Sequence, residues 1–272
     1  MPNRLTTIKI VTMHQKQSLS LLAWILLIII LVIAAGLRFY NLNWDNGIFA
    51  HPDERSTVAF YAPTIHWPED TSTLLDPRAS TLNPFWDVNN QSRRSYTYGH
   101  FPLYLLVFTA NVFNDIGRYT SSLPFERPPA IVQFLNTSLS THGFAHIGRG
   151  LMALADLFSV LLIFLLGRRL YGVWGGLLAA ALSTFTVLQV QLAHFFAVDP
   201  MSTTFTLLAI YGAILLYDRH SVGAAVLTGV GIGLALLLLW FMNRFGGGQQ
   251  SGPRIPFEVS VDYFHIKNSG AH

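Results

Sequence analysis

The sequence predicts an all-α integral membrane protein, and three observations carry that prediction. Only 11% of the 272 residues are charged, where a soluble domain has roughly 25%. Hydrophobic residues make up 51%, and the mean hydropathy is +0.42. The polar residues are also segregated rather than interspersed. A chain of this kind cannot cover a water-facing surface, so lipid must be part of its solvent.

The first element is the run Leu19–Leu37, nineteen residues without a charge. At roughly 1.5 Å per residue it reaches about 28 Å, close to the hydrocarbon thickness of a bilayer. A cleaved signal peptide would carry a shorter apolar core of about 7–15 residues, so this run reads as a retained span. The preceding residues 1–18 hold Arg4, Lys9 and Lys16 and no acid, which suits a cytoplasmic tail.

Residues 38–148 are different in composition. They contain nine of the fourteen acids and seven arginines, with many Pro, Asn, Ser, Trp and Tyr. One apolar stretch, Phe101–Phe113, is too short to span and reads as an interfacial or buried helix. The aromatic content argues against disorder, so this is a folded extracytoplasmic loop with short interfacial helices.

Residues 149–244 are expected to form four further spans: Leu151–Leu166, Val173–Phe196, Pro200–Tyr217 and Ser221–Met242. Short links separate them: GRRLYG, an AVDP corner and DRH. Arg168, Arg169 and Arg219 fall on the same side as the basic tail, which places the N-terminus in the cytoplasm and the long loop outside. Residues 245–272, rich in Gly, Pro and Gln at their start, read as a flexible or aberrant tail.

The absence of cysteine excludes disulfides, thiolate metal sites and cysteine nucleophiles. No P-loop, HExxH or nucleophile-elbow pattern occurs, and nothing suggests a nucleic-acid surface. The glycines at 229, 231 and 233 lie within a span, where small residues allow close helix packing.

Chemistry is therefore sought among the acids of the outer side. His51-Pro52-Asp53-Glu54-Arg55 is an ordinary helix start, with Pro at N1 and acids near the positive end of the dipole. It also offers a carboxylate at the membrane surface, able to take a proton from a hydroxyl. Asp199-Pro200 is either a helix cap or a second acid delivered to the same face by three crossings. His194 reads first as an interfacial histidine.

Asp156 is an intramembrane carboxylate, which is expensive and by default marks function. A hydrogen bond to a neighbouring span is the equal alternative. Arg149 sits where a lipid phosphate would lie, with snorkelling as the plainer account.

Taken in order, RFYNLNWDNGIFAHPDE, YTYGHFPLYLL, GRGLMALADLFSVLLIFLLGRRLYG and HFFAVDPMSTTF resemble glycosyltransferase family 39. That group is related to protein O-mannosyltransferases and lipid A aminoarabinose transferases. The resemblance implies a helical bundle of the GT-C fold and transfer from a polyprenyl-phosphate sugar, with no nucleotide cofactor. The reaction would run on the extracytoplasmic side of a bacterial or archaeal plasma membrane.

It also implies site residues. Asp53, paired with Glu54, falls on the family's proposed base, and Asp199 on the acid that begins the fourth span. Arg149 and Asp156 are candidates for binding substrate or phosphate. The acid and lysine that precede the Leu-Tyr helix in some relatives are replaced here by Gly99-His100-Phe101-Pro102. His100 is the candidate substitute, and a divalent metal ion stays open. The acceptor is a protein, lipid or glycan hydroxyl.

Family members usually carry about a dozen spans, so a truncated or frameshifted form is the expectation for this chain. The competing class is a non-enzymatic polytopic membrane protein or a transporter fragment. The absence of internal repeats and the polar mass in one outer loop weigh against it.

Overall fold

The computed structural model describes residues 20–96, 98–123 and 128–245, with side chains described as far as 238 in the last helix. The expected tails, 1–18 and the residues beyond 245, lie outside that range. The described residues form eight α-helices and one two-stranded ribbon. This is the all-α membrane architecture that the composition predicts.

Helix α1 (Leu21–Phe39) starts where the Ser20 hydroxyl accepts from the Ala23 N–H at 3.2 Å. Ala23, Leu27, Ala34 and Arg38 form its buried stripe, while Leu21, Ile25, Ile28 and Val32 are exposed on the opposite side. Inside lipid the backbone polar groups need partners within their own segment, which a helix supplies. Exposed aliphatic residues then cost nothing.

That stripe packs on α5 (Thr141–Thr184), whose 44 residues are not one rod. The chain reverses at Gly172, where φ is 79° and ψ 180°. Arg38 reaches both Asp156 and the carbonyls of Ser183 and Thr184. In a straight helix, positions 156 and 184 would stand about 42 Å apart. The two legs therefore run antiparallel, with Phe164, Val173 and Leu177 joining Leu27 in one cluster. The GRRLYG link is the turn between them.

The expected span Val173–Phe196 is helical only to Thr184. A break follows at Phe185 and Thr186, and then the short α6 (Val187–Leu192). Helix α7 (Asp199–Arg219) and α8 (Val222–Phe245) form the second antiparallel pair, joined at His220 in the left-handed region (φ 47°). Gly231 lies against Ala209 and Gly212 against Thr228, so the backbones approach too closely for a β-carbon at either glycine.

Arg169 and Asp218 form an ion pair that ties the turn of the first pair to the turn of the second. Three helices (α1, α5 and α7) are long and apolar enough to cross a membrane, and α8 is apolar over its shorter described part, Val222–Leu238. The protein is an integral membrane protein.

At the other end of the bundle the long loop folds into a cap. It contains α2 (Pro52–Ser56), which runs on through a π turn, Thr57–Tyr61, and a 3-10 turn, Ala62–Thr64. A two-residue ribbon pairs β1 (Trp86–Asp87) with β2 (Ser92–Arg93). Helix α3 (His100–Ser121) is longer than the apolar stretch that announces it, and α4 (Pro129–Asn136) packs beside it.

The cap shares one core with the bundle. Val58, Tyr96, Leu103, Leu106, Met152 and Leu238 are all almost completely buried in it.

Candidate active site

Arg149 lies on α5 about two turns after its start at Thr141, and it is 2% exposed. A guanidinium has five N–H donors, and all five are used here. Nε and an Nη2 hydrogen go to Glu54 at 2.7 Å each. Two more reach Asp45, at 3.0 Å from Nη1 and 2.7 Å from Nη2. The fifth goes to the Leu42 carbonyl at 2.7 Å.

Arg149 thus neither snorkels nor has a donor free for a lipid phosphate. It binds the cap to α5. The reason is burial, since a charge out of water needs its partners at contact distance.

Glu54 is fully buried (0% exposed) and also accepts the Phe196 N–H at 3.2 Å. Its carboxylate is committed to structure. Asp45 takes further N–H bonds from Gly47 and Ala50. The Arg149 guanidinium holds its carboxyl well below the usual range, at about 2, against the opposing effect of burial.

Asp53 differs from its neighbour. It begins α2 behind Pro52 in the helix-start role that the sequence suggests. It is part-exposed, and no side-chain partner holds it among the described residues. It lines a crevice of ≈ 10 Å³ with Thr57, Tyr96, Tyr98, Phe196 and Val198, which is room for about one water-sized oxygen. The walls are fixed: Tyr61 packs on Tyr96 at 4.7 Å, and the Tyr96 hydroxyl donates to the Gly99 carbonyl at 3.2 Å. Burial pushes the Tyr96 phenol upward, so it stays a neutral donor.

Asp199 is exposed and one residue beyond Val198 in the crevice wall. It occupies the first turn of α7, with Pro200 beside it and Val198 as the cap residue, so Asp199 is not itself the cap. His100 begins α3 and is packed among Phe85 (5.0 Å), Tyr104 (5.5 Å) and Tyr96 (6.5 Å). Burial lowers its pKa. It stands behind Tyr96 and is not in the crevice wall.

Asp156 is bonded to Arg38 of α1, the neighbouring-span alternative, and is not among the residues that line the crevice. The two nitrogens of His194 lie 2.7 Å from the Val190 carbonyl and 3.0 Å from the Tyr40 carbonyl, which ties α6 to the end of α1. Among the described residues no three His, Asp or Glu side chains converge as a metal-ligand set. The two acids that do meet, Asp45 and Glu54, already share one guanidinium.

Sequence reasoning missed Asp45, Arg38 and the Phe196 amide. In the sequence Asp45 stands only within the stretch RFYNLNWDNGIFAHPDE, and Arg38 only directly after the first uncharged run. Each finds its partner across more than a hundred residues.

Against known families, residues 127–242 match the family described as dolichyl-phosphate-mannose-protein mannosyltransferase. The resemblance to glycosyltransferase family 39 holds over this segment. The match supports a membrane glycosyltransferase. It covers Arg149, Asp156 and Asp199 with the two helix pairs, while Asp53, Glu54 and His100 precede it. No curated protein and no solved structure matches the chain.

Proposed function

We propose that the protein transfers a sugar from a polyprenyl-phosphate donor to an acceptor hydroxyl at the cap end of its bundle. One observation carries the reading. Of two adjacent carboxylates, Glu54 is locked by Arg149 and the Phe196 amide, while Asp53 faces a one-oxygen crevice walled by tyrosines. A carboxylate at such a place suits a general base.

The acceptor hydroxyl occupies the crevice and gives its proton to an Asp53 carboxylate oxygen as its own oxygen attacks the anomeric carbon. The bond from that carbon to the phosphate oxygen breaks, and polyprenyl phosphate leaves with the electron pair. Attack opposite the leaving group inverts the anomeric centre. Arg149 acts by holding Glu54, and so the base of α2, in place.

Five membrane passages with a cytoplasmic N-terminus put this crevice on the extracytoplasmic side of a bacterial or archaeal plasma membrane. The geometry supports that count, since Arg149, Phe196 and Leu238 all pack at the cap.

The test uses the chain in proteoliposomes with a radiolabelled polyprenyl-phosphate mannose and a hydroxyl acceptor peptide. Transfer should fall by on the order of 10²–10⁴ in Asp53→Asn at unchanged protein level. Full turnover in that variant refutes the assignment of the base. No transfer and no donor cleavage by the wild type refutes the enzyme.

A further inference from the structure

The cap holds a second, larger cavity that the transfer mechanism does not use. Its volume is ≈ 120 Å³, about the size of a single sugar ring and below the range for a drug-sized ligand. Trp86 forms part of the wall, with His66, Asn83, Asn89 and the Asp87–Arg94 pair.

Charge narrows what could bind. Arg94 gives two donors to one Asp87 oxygen, at 3.2 and 2.7 Å, and a third to the Thr64 hydroxyl at 2.7 Å. Asp87 accepts also from the Asn89 and Asn90 amides and the Asn90 side chain. The one cation and the one anion of the wall neutralise each other, so the cavity suits a neutral ligand.

The remaining groups are of the hydrogen-bonding kind. The Asn89 side-chain amide is exposed and unengaged among the described residues. The Trp86 Nε1–H is buried with no acceptor among the described residues. An orphan donor of this kind is unfavourable, and a slight turn of the indole toward a ligand oxygen satisfies it. Arg78 lies over the same ring at 5.6 Å.

We propose that this cavity binds one neutral pyranose unit. An aromatic wall and a planar amide, without net charge, complement a ring with an apolar face and a rim of hydroxyls. The site adjoins the Asp53 crevice through Tyr61 and Tyr96: the Thr64 hydroxyl of its wall donates to the Tyr61 carbonyl at 2.8 Å, and the Tyr61 ring packs at a tilt against Tyr96 of the crevice. Binding here does not depend on the transfer reading.

Saturation-transfer NMR on the full chain in detergent tests this, using the methyl glycosides of mannose, glucose and galactose, with inorganic phosphate as the anionic control. One or more glycosides should give transfer. Affinity should fall at least tenfold in both Trp86→Ala and Asn89→Ala and stay unchanged in Asp53→Asn. Asn89 is exposed, so its variant keeps the fold even if Trp86→Ala does not.

Absence of glycoside transfer overturns the proposal, as does wild-type binding in Asn89→Ala. Preference for phosphate overturns it as well. Binding lost only in Asp53→Asn places the sugar in the crevice, which overturns this proposal and leaves the transfer reading standing.

Discussion

Arg149 grips Glu54, ninety-five residues earlier in the chain, with two parallel N–H donors at 2.7 Å each. This bond makes the first outer loop part of the same rigid body as α5. It also separates the roles of the two adjacent acids, since Glu54 is consumed in structure while Asp53 is left facing the crevice.

Removing the guanidinium leaves Asp45 and Glu54 buried and uncompensated. Arg149→Ala should cost about 3–5 kcal/mol, read as a lower thermal midpoint in detergent. Arg149→Lys should recover only a small part, because an ammonium cannot serve two carboxylates bidentately. A variant as stable as wild type disproves the hub.

The second buried pair, Arg38 with Asp156, is of the same kind but lies within the spans. Arg38→Ala or Asp156→Ala alone should each destabilise by about 3–5 kcal/mol, while joint replacement by Met and Leu should cost much less. A double-mutant cycle decides it: strictly additive losses would show that the two charges do not depend on each other.

Gly172 turns the first helix pair with a backbone (φ 79°, ψ 180°) open essentially to glycine. Gly172→Ala should cost about 1–3 kcal/mol and loosen the contact of Val173 and Leu177 with α1. Cysteine cross-linking between positions 27 and 177 would register that loosening. An unchanged cross-linking yield and melting temperature would argue against the turn.

Acid should weaken the cap. The Arg149 guanidinium lowers the Asp45 carboxyl from 3.8 to about 2, and Arg94 lowers Asp87 to about 2 in the same way. A group whose folded pKa is depressed stabilises fully above its unfolded pKa, and that stability is lost as pH falls through the folded value. Melting midpoints should therefore hold down to about pH 4 and drop between pH 4 and pH 2, with a shallower drop in Asp45→Asn. Stability rising with acid in that window would contradict the pairing.

Several features were legible in the sequence because they depend on local composition. Uncharged runs report lipid burial, and Pro52 before Asp53 and Glu54 reports a helix start. The GRRLYG link reports a turn. The division of labour between Asp53 and Glu54 was not legible. Adjacent acids look alike in a sequence, and only α5 and the residues after α6 show which one is held. The same holds for Asp156, whose partner lies at the far end of another span, and for Arg149, whose snorkelling reading fails because three cap groups reach it first.

Hydropathy and charge placement by themselves determined that this is a helical membrane protein with a polar cap, since transfer to lipid is a property of each segment alone. Which ionised groups meet is a property of pairs, and burial makes the loss of either partner cost several kcal/mol. That part was decided by the tertiary structure, when the reversal at Gly172 and the folding of the cap brought Arg149, Glu54 and Phe196 to one place.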